Sequence, residues 1–125
     1  MAKKFKITQN PTFKAKVDIP RVGGESIQVE FEFKFLPRKK LAEMYEKWQG
    51  RLTDLTITED TTLTELTDLE IDLQTEQIKD VVVGWDFEDE FNDENIEALV
   101  ATSVHAARAV IERYQDVYRE TKLGN

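Results

Sequence analysis

The sequence predicts an α+β protein, a small N-terminal antiparallel sheet of two to three strands packed against three to four α-helices. Two observations predict it. Apolar and polar residues alternate on both sides of Gly23-Gly24, the pattern of a hairpin with one buried face. Beyond Pro37, apolar residues recur at helical spacing almost to the end of the chain. The 125 residues read as one domain, with the sheet in 1–36 and the helices in 37–125.

The hairpin carries its own register. Phe13, Ala15, Val17 and Ile19 alternate with Lys14, Lys16 and Asp18, and Ile27, Val29, Phe31, Phe33 and Phe35 do the same across the turn. Folding about Gly23 sets Val17 opposite Val29 and Ala15 opposite Phe31 on one face. It sets Lys16 opposite Glu30 and Lys14 opposite Glu32 on the other. Opposed pairs contribute roughly 0.2–1 kcal/mol each, so two faces agreeing on one register specify it strongly. Phe5 and Ile7, closed off by Asn10-Pro11, are expected to supply a short additional strand. A base-stacking role for Phe31, Phe33 and Phe35 is disfavoured by Glu30 and Glu32 between them, since such a sheet needs basic residues. They read as a core face under helices.

Pro37 stands where a helix tolerates a missing N–H, its first position, and Leu41, Met44, Tyr45 and Trp48 form the apolar stripe. Gly50 falls where a C′ residue is expected, and Arg38, Lys39 and Lys40 crowd the first turn against the helix dipole. The threonine-rich stretch 52–67 is expected to begin as a surface loop. Asp60 or Thr61 then caps a helix carrying Leu63, Leu66, Leu69, Leu73, Ile78 and Val81-Val82, with a break or kink near Gln74-Thr75. Gly84 ends the β-branched run and offers a positive φ or a close backbone approach, with Trp85 and Phe87 pinning the acidic Glu88-Asp89-Glu90 connector. Asn92 caps a short helix bearing Ile96, Leu99 and Val100. Thr102 or Ser103 caps a last helix with Ala107, Val110, Ile111, Tyr114, Val117 and Tyr118 on its apolar face, and Lys122–Asn125 is expected to fray.

Composition narrows the function. There is no cysteine, which makes a reducing cytoplasm the default, and no run long enough to span a membrane or to act as a signal peptide. The net charge of −8 is uneven: 11 Lys and Arg face 6 Asp and Glu in residues 1–50, and 6 face 19 in the remainder, nets of +5 and −13. Between Asp54 and Glu97 the sole base is Lys79. Such a surface disfavours nucleic acid and reads first as a solvated acidic face, with a basic partner or the basic half of a second copy as the sharper alternative.

No catalytic or metal-ligating set emerges, and no cofactor is expected. Asp86, Glu88, Glu90 and Glu97 have the spacing of a calcium loop, but Phe91 occupies the position that needs glycine. His105 is the lone histidine, with no cysteine to join it, and Gly23-Gly24 lacks the surroundings of a phosphate cradle.

The string Val81-Val82-Val83-Gly84-Trp85-Asp86-Phe87 with its acidic continuation, a short helix around Leu99, and Ala106-Ala107-Arg108-Ala109-Val110-Ile111-Glu112-Arg113-Tyr114 resemble the phage tail assembly chaperones. The phenylalanine-rich strand leading into a Leu-Ala-Glu helix is similar to that family too. Val104 stands in a region where the family pattern has a proline. The resemblance implies a non-enzymatic protein of the infected bacterial cytoplasm, absent from the mature virion. Its partners would be the tape measure protein, which it keeps soluble, and the tail tube protein, with neither nucleic acid nor membrane. Trp85, Phe87, Phe91, Tyr114 and Tyr118 are the candidate partner-binding residues, and a homo-oligomer is expected as an option. The alternative is an acidic adaptor or inhibitor that binds a basic surface of a host protein.

Overall fold

The computed structural model describes residues 3–120. The elements in order are β1 (Thr12–Ile19), β2 (Ile27–Lys34), α1 (Arg38–Thr53), α2 (Leu63–Val81), β3 (Val82–Trp85), α3 (Asp93–Thr102) and α4 (Val104–Arg119). Three antiparallel strands in the order β1-β2-β3 and four helices make the α+β arrangement that the alternation and the helical stripes predict. The expected fraying of Lys122–Asn125 lies outside the described residues.

The β1–β2 register is the one that charge and apolar pairing specify, including Val17↔Val29, Ala15↔Phe31, Lys16↔Glu30 and Lys14↔Glu32. Gly23, at φ 74°, supplies the left-handed residue of the turn. The third strand is not Phe5 and Ile7. It is β3, which runs straight out of α2 and pairs Phe31 with Trp85 and Phe33 with Val82, around a bulge at Glu32/Phe33. The physical reason is burial: Val82 is 2% exposed on that edge, whereas Phe5 and Ile7, flanked by lysines, lie outside the sheet at 82% and 101%.

Helix α1 also departs from expectation at both ends. Pro37 precedes it as the N-cap residue, and the first helical bond runs from the Leu41 amide to the Pro37 carbonyl at 2.9 Å. Gly50 lies inside the helix, which continues to Thr53. A helical glycine costs roughly 1 kcal/mol, and contacts to α2 outweigh it. Trp48 Nε1 donates to Asp80 Oδ2 at 2.8 Å, Lys47 Nζ sits 2.7 Å from the same carboxylate, and Arg51 pairs with Glu76. Surface ion pairs contribute roughly 0.2–1 kcal/mol each, so the buried Trp48 with its charge-assisted bond, worth roughly 1.5–3 kcal/mol, is the main clamp. At the other end of α1, Lys40 pairs with Glu43 at 3.7 Å.

Helix α2 begins one or two residues later than expected, because its N-cap is Thr62, whose Oγ1 accepts from the Glu65 amide at 3.1 Å. Thr61 instead closes a turn with Thr58. The helix passes through Gln74-Thr75 without a break and ends at Val81, so Val82 belongs to the strand. Asn92 and Ser103 cap α3 and α4 through their side chains, accepting from the Asn95 and Ala106 amides.

Helix α4 crosses the sheet face of Val17, Ile19, Phe31 and Phe33, bringing Ala106, Ala107, Val110 and Tyr114 against it. Ile78 and Val81 of α2, Ile96 and Val100 of α3, and Met44 and Trp48 of α1 complete one core. The other sheet face carries the lysine and glutamate pairs in solvent. Among the described residues no helix is long and apolar enough to cross a membrane.

Candidate partner-binding site

The five aromatic candidates fall into two groups. Trp85 stands edge-on to Phe31, Phe87 and Phe91, with centroids 6.1, 5.1 and 5.1 Å away. Its Nε1 donates to the Asp89 carbonyl at 2.8 Å, and Asn95 Nδ2 donates to the Glu90 carbonyl at 2.8 Å. The indole is half-buried and binds the acidic connector to the sheet. Gly84 has no positive φ, and an added Cβ would meet nothing nearer than Glu32 Oε1 at 3.9 Å. Neither reason offered for a glycine there holds: the residue pairs with Glu32 in extended strand beside the bulge, with room for a Cβ.

Tyr114 and Tyr118 lie one turn apart on α4. Tyr114 is fully buried. The Leu36 amide donates to Tyr118 Oη at 2.8 Å, the two hydroxyls are 3.1 Å apart, and Tyr114 Oη donates to the Lys34 carbonyl at 3.0 Å. This relay ties the segment after β2 to α4. Burial raises the Tyr114 phenol well above its ordinary pKa, and its bond to Tyr118 adds to the shift. Burial also raises Tyr45, partly offset by its hydrogen bond with Gln115.

A different surface has the form of a docking site. Past the Trp48 and Arg51 clamps, α1 ends, and residues 54–62 turn back beside the N-terminal half of α2. Between them lies a groove of about 540 Å³ lined by Leu52, Leu55, Ile57, Leu63, Leu66 and Leu73, with Arg108 of α4 also on its wall. Leu63, Ile57 and Leu52 are 80%, 58% and 57% exposed. From Leu52 to Ile78 there is no Lys or Arg, and Asp54, Glu59, Asp60, Glu65, Asp68 and Glu70 belong to the same stretch. The charged residues on its wall are Glu70 and Arg108, one of each sign, so what the trough offers is an apolar surface for the apolar ridge of a peptide.

A stretch 52–67 that begins as a surface loop and enters a helix after Asp60 or Thr61 does not by itself announce this groove. The available signal was the set Leu52, Leu55, Ile57 and Leu63, more large aliphatics than a loop needs. His105, the lone histidine, is exposed on α4. Among the described residues no three of His, Cys, Asp and Glu come together as a metal-ligand set.

Comparison with curated proteins and with solved structures finds no match. The family model described as phage tail assembly chaperone matches residues 1–125, the whole chain, including the Gly84-Trp85 string and the α4 helix that resemble that family. The chain therefore belongs to the phage tail assembly chaperone family.

Proposed function

We propose that the protein binds the tape measure protein of a long-tailed phage and keeps its helices soluble during tail tube assembly, without catalysing a reaction. The tail tube protein would be a second partner, and the work would take place in the bacterial host cytoplasm, with the chaperone absent from the mature virion. One observation carries the reading beyond family membership: the leucine-lined groove between α1, the 54–62 segment and α2. Covering Leu52, Ile57 and Leu63 with an amphipathic client helix contributes roughly 1–2 kcal/mol per side chain. Half-buried Trp85, Phe87 and Phe91 would make a second contact, and Tyr118, in the other aromatic group, a third. Tyr114, enclosed in the core, would support that surface from behind.

Co-expression with the tape measure protein of the same phage tests this. The expected result is a soluble complex that co-purifies, and its loss when Leu63 and Leu66 are changed to Glu. A tape measure protein that stays insoluble beside folded chaperone refutes the reading.

The net of −13 in residues 51–125 favours one other reading, an acidic adaptor that covers a basic surface of a host protein. Salt separates the two. Charge-driven association weakens steeply as ionic strength rises, whereas apolar burial in the groove persists.

A further inference from the structure

The sheet is open along one side. Its strand order ends at β1, and among the described residues no strand lies beyond it. In an antiparallel sheet a residue sends its N–H and C=O to the same side, and successive residues alternate. Three hydrogen bonds fix the alternation here. The Phe35 amide donates to the Pro11 carbonyl at 2.9 Å, so the odd-numbered residues along β1 are turned toward β2. The Asp86 amide donates to the Glu30 carbonyl at 3.0 Å, so Glu30, opposite Lys16, is turned toward β3. Arg113 Nε, reaching from α4, donates to the Lys16 carbonyl at 3.1 Å, so Lys16 is turned away from the sheet. Thr12, Lys14, Lys16 and Asp18 therefore direct their backbone groups to the free edge, along a strand of 8 residues that pairs with β2 without a bulge and contains no proline.

We propose that this edge takes an added antiparallel strand from a partner segment carrying carboxylates at two alternate positions, opposite Lys14 and Lys16. Both lysines are exposed, and neither forms an ion pair among the described residues. Charge selects the partner. Two copies of β1 paired antiparallel about Ala15 would set Lys14 opposite Lys16 twice, and like charges directly opposite are destabilising. A strand with Glu or Asp at those positions gains where a second copy loses. The remaining side chains of the added strand would face α4. A recess of about 430 Å³ runs there beside β1, with Glu112 and Asp116 on its wall. Arg113 on the same wall is already paired with Glu120 at 2.6 Å, so a carboxylate on that side finds no free base on α4. Acid at alternate positions is thus favoured over acid throughout. The Lys16 carbonyl accepts a side-chain donor in the free protein, and the amide of the incoming residue would take the place of the Arg113 guanidinium. The proposal needs neither the leucine-lined groove nor a tape measure protein.

Peptides test it in solution. The probe is a threonine peptide of 8 residues, the length of β1, with Glu at two alternate positions. On binding to the full chain, hydrogen exchange should slow at the Lys14, Lys16 and Asp18 amides, while Ala15 and Val17, already turned toward β2, change little. The Arg113 Nε–H resonance should shift over the same range of peptide concentration. Lys in place of Glu in the peptide, or Lys14→Gln with Lys16→Gln in the protein, should weaken binding roughly tenfold at low salt. Both positions are exposed, so circular dichroism of the variant should stay that of wild type. N-methylation of the two Glu amides removes the donors aimed at the edge and should abolish binding. N-methylation of the threonine amide between them, aimed at solvent, should leave binding intact. No protection at millimolar peptide overturns the proposal and leaves the lysines as guards of the edge. Protection that does not alternate along β1, or equal binding of the two methylated peptides, overturns it as well. Copies of the chain that associate through β1 and come apart when peptide is added also overturn it, since the edge would then belong to a second copy.

Discussion

The Leu36–Tyr118–Tyr114–Lys34 relay allows a quantitative test of what holds α4 to the sheet. Tyr114→Phe keeps the buried ring and removes a hydroxyl that donates to the Lys34 carbonyl at 3.0 Å and lies 3.1 Å from Tyr118 Oη. Losing one such bond and stranding its acceptor costs roughly 1–2 kcal/mol. Tyr118→Phe strands the part-buried Leu36 amide, now 2.8 Å from the phenol oxygen, and costs roughly 1–3 kcal/mol. The two variants remove one bond in common, so the double variant should cost less than the sum by roughly 0.5–1 kcal/mol. Urea unfolding with equal slopes for all four proteins provides the values. In thermal melts each kcal/mol lowers Tm by roughly 3–6 °C for a chain of this size. Single variants within about 0.3 kcal/mol of wild type, or strict additivity, would show that the hydroxyls are solvated and that ring packing alone holds α4.

Three further outcomes are expected. Thr75 Oγ1 is buried without a hydrogen-bond partner, so Thr75→Val should raise stability by about 1 kcal/mol in the same unfolding assay; a loss would mean that the hydroxyl is bonded in solution. Trp85→Ala should cost roughly 2–4 kcal/mol, because the indole contacts three aromatic rings and the Asp89 carbonyl; unchanged stability with lost partner binding would place the ring in the interface. Tyr114 has a folded pKa above its unfolded value of 10.0, so its contribution is complete below that pH and is lost as pH rises beyond it. Stability measured against pH should fall above pH 10, and less steeply in Tyr114→Phe, with equal slopes counting against a buried phenol.

The parts of the fold legible in the sequence are those that local pattern determines. Lys14 and Lys16 find Glu32 and Glu30 because apolar alternation and charge alternation demand the same pairing about one turn. Asn92 and Ser103 declare helix starts through their own side chains. The errors arise where a distant partner decides. The run ending at Val83 suits helix and strand equally, and what makes Val82 a strand residue is the free edge of β2, about fifty positions away. Gly50 reads as a stop until Arg51 and Lys47 meet Glu76 and Asp80. The aromatic candidates follow from residue type, but type alone cannot show that Tyr114 is enclosed and Leu63 exposed. The groove depends on where α1 ends relative to the start of α2, which no local pattern encodes.

The unbroken passage from α2 into β3 has a consequence for how binding would be felt inside the molecule. The helix has 19 residues, roughly 28 Å, with Ile78 and Val81 sealed in the core at one end and Leu63 80% exposed at the other. Amide protection should therefore fall steadily from the strand junction toward Thr62, with the poorly covered turns opening first. An occupant of the groove adds its binding free energy to those loosest turns. No loop intervenes between Val81 and Val82 to absorb a change in the helix direction. A load on the groove thus reaches the sheet through a continuous rod, and slowed exchange from Leu63 to Glu70 would record it.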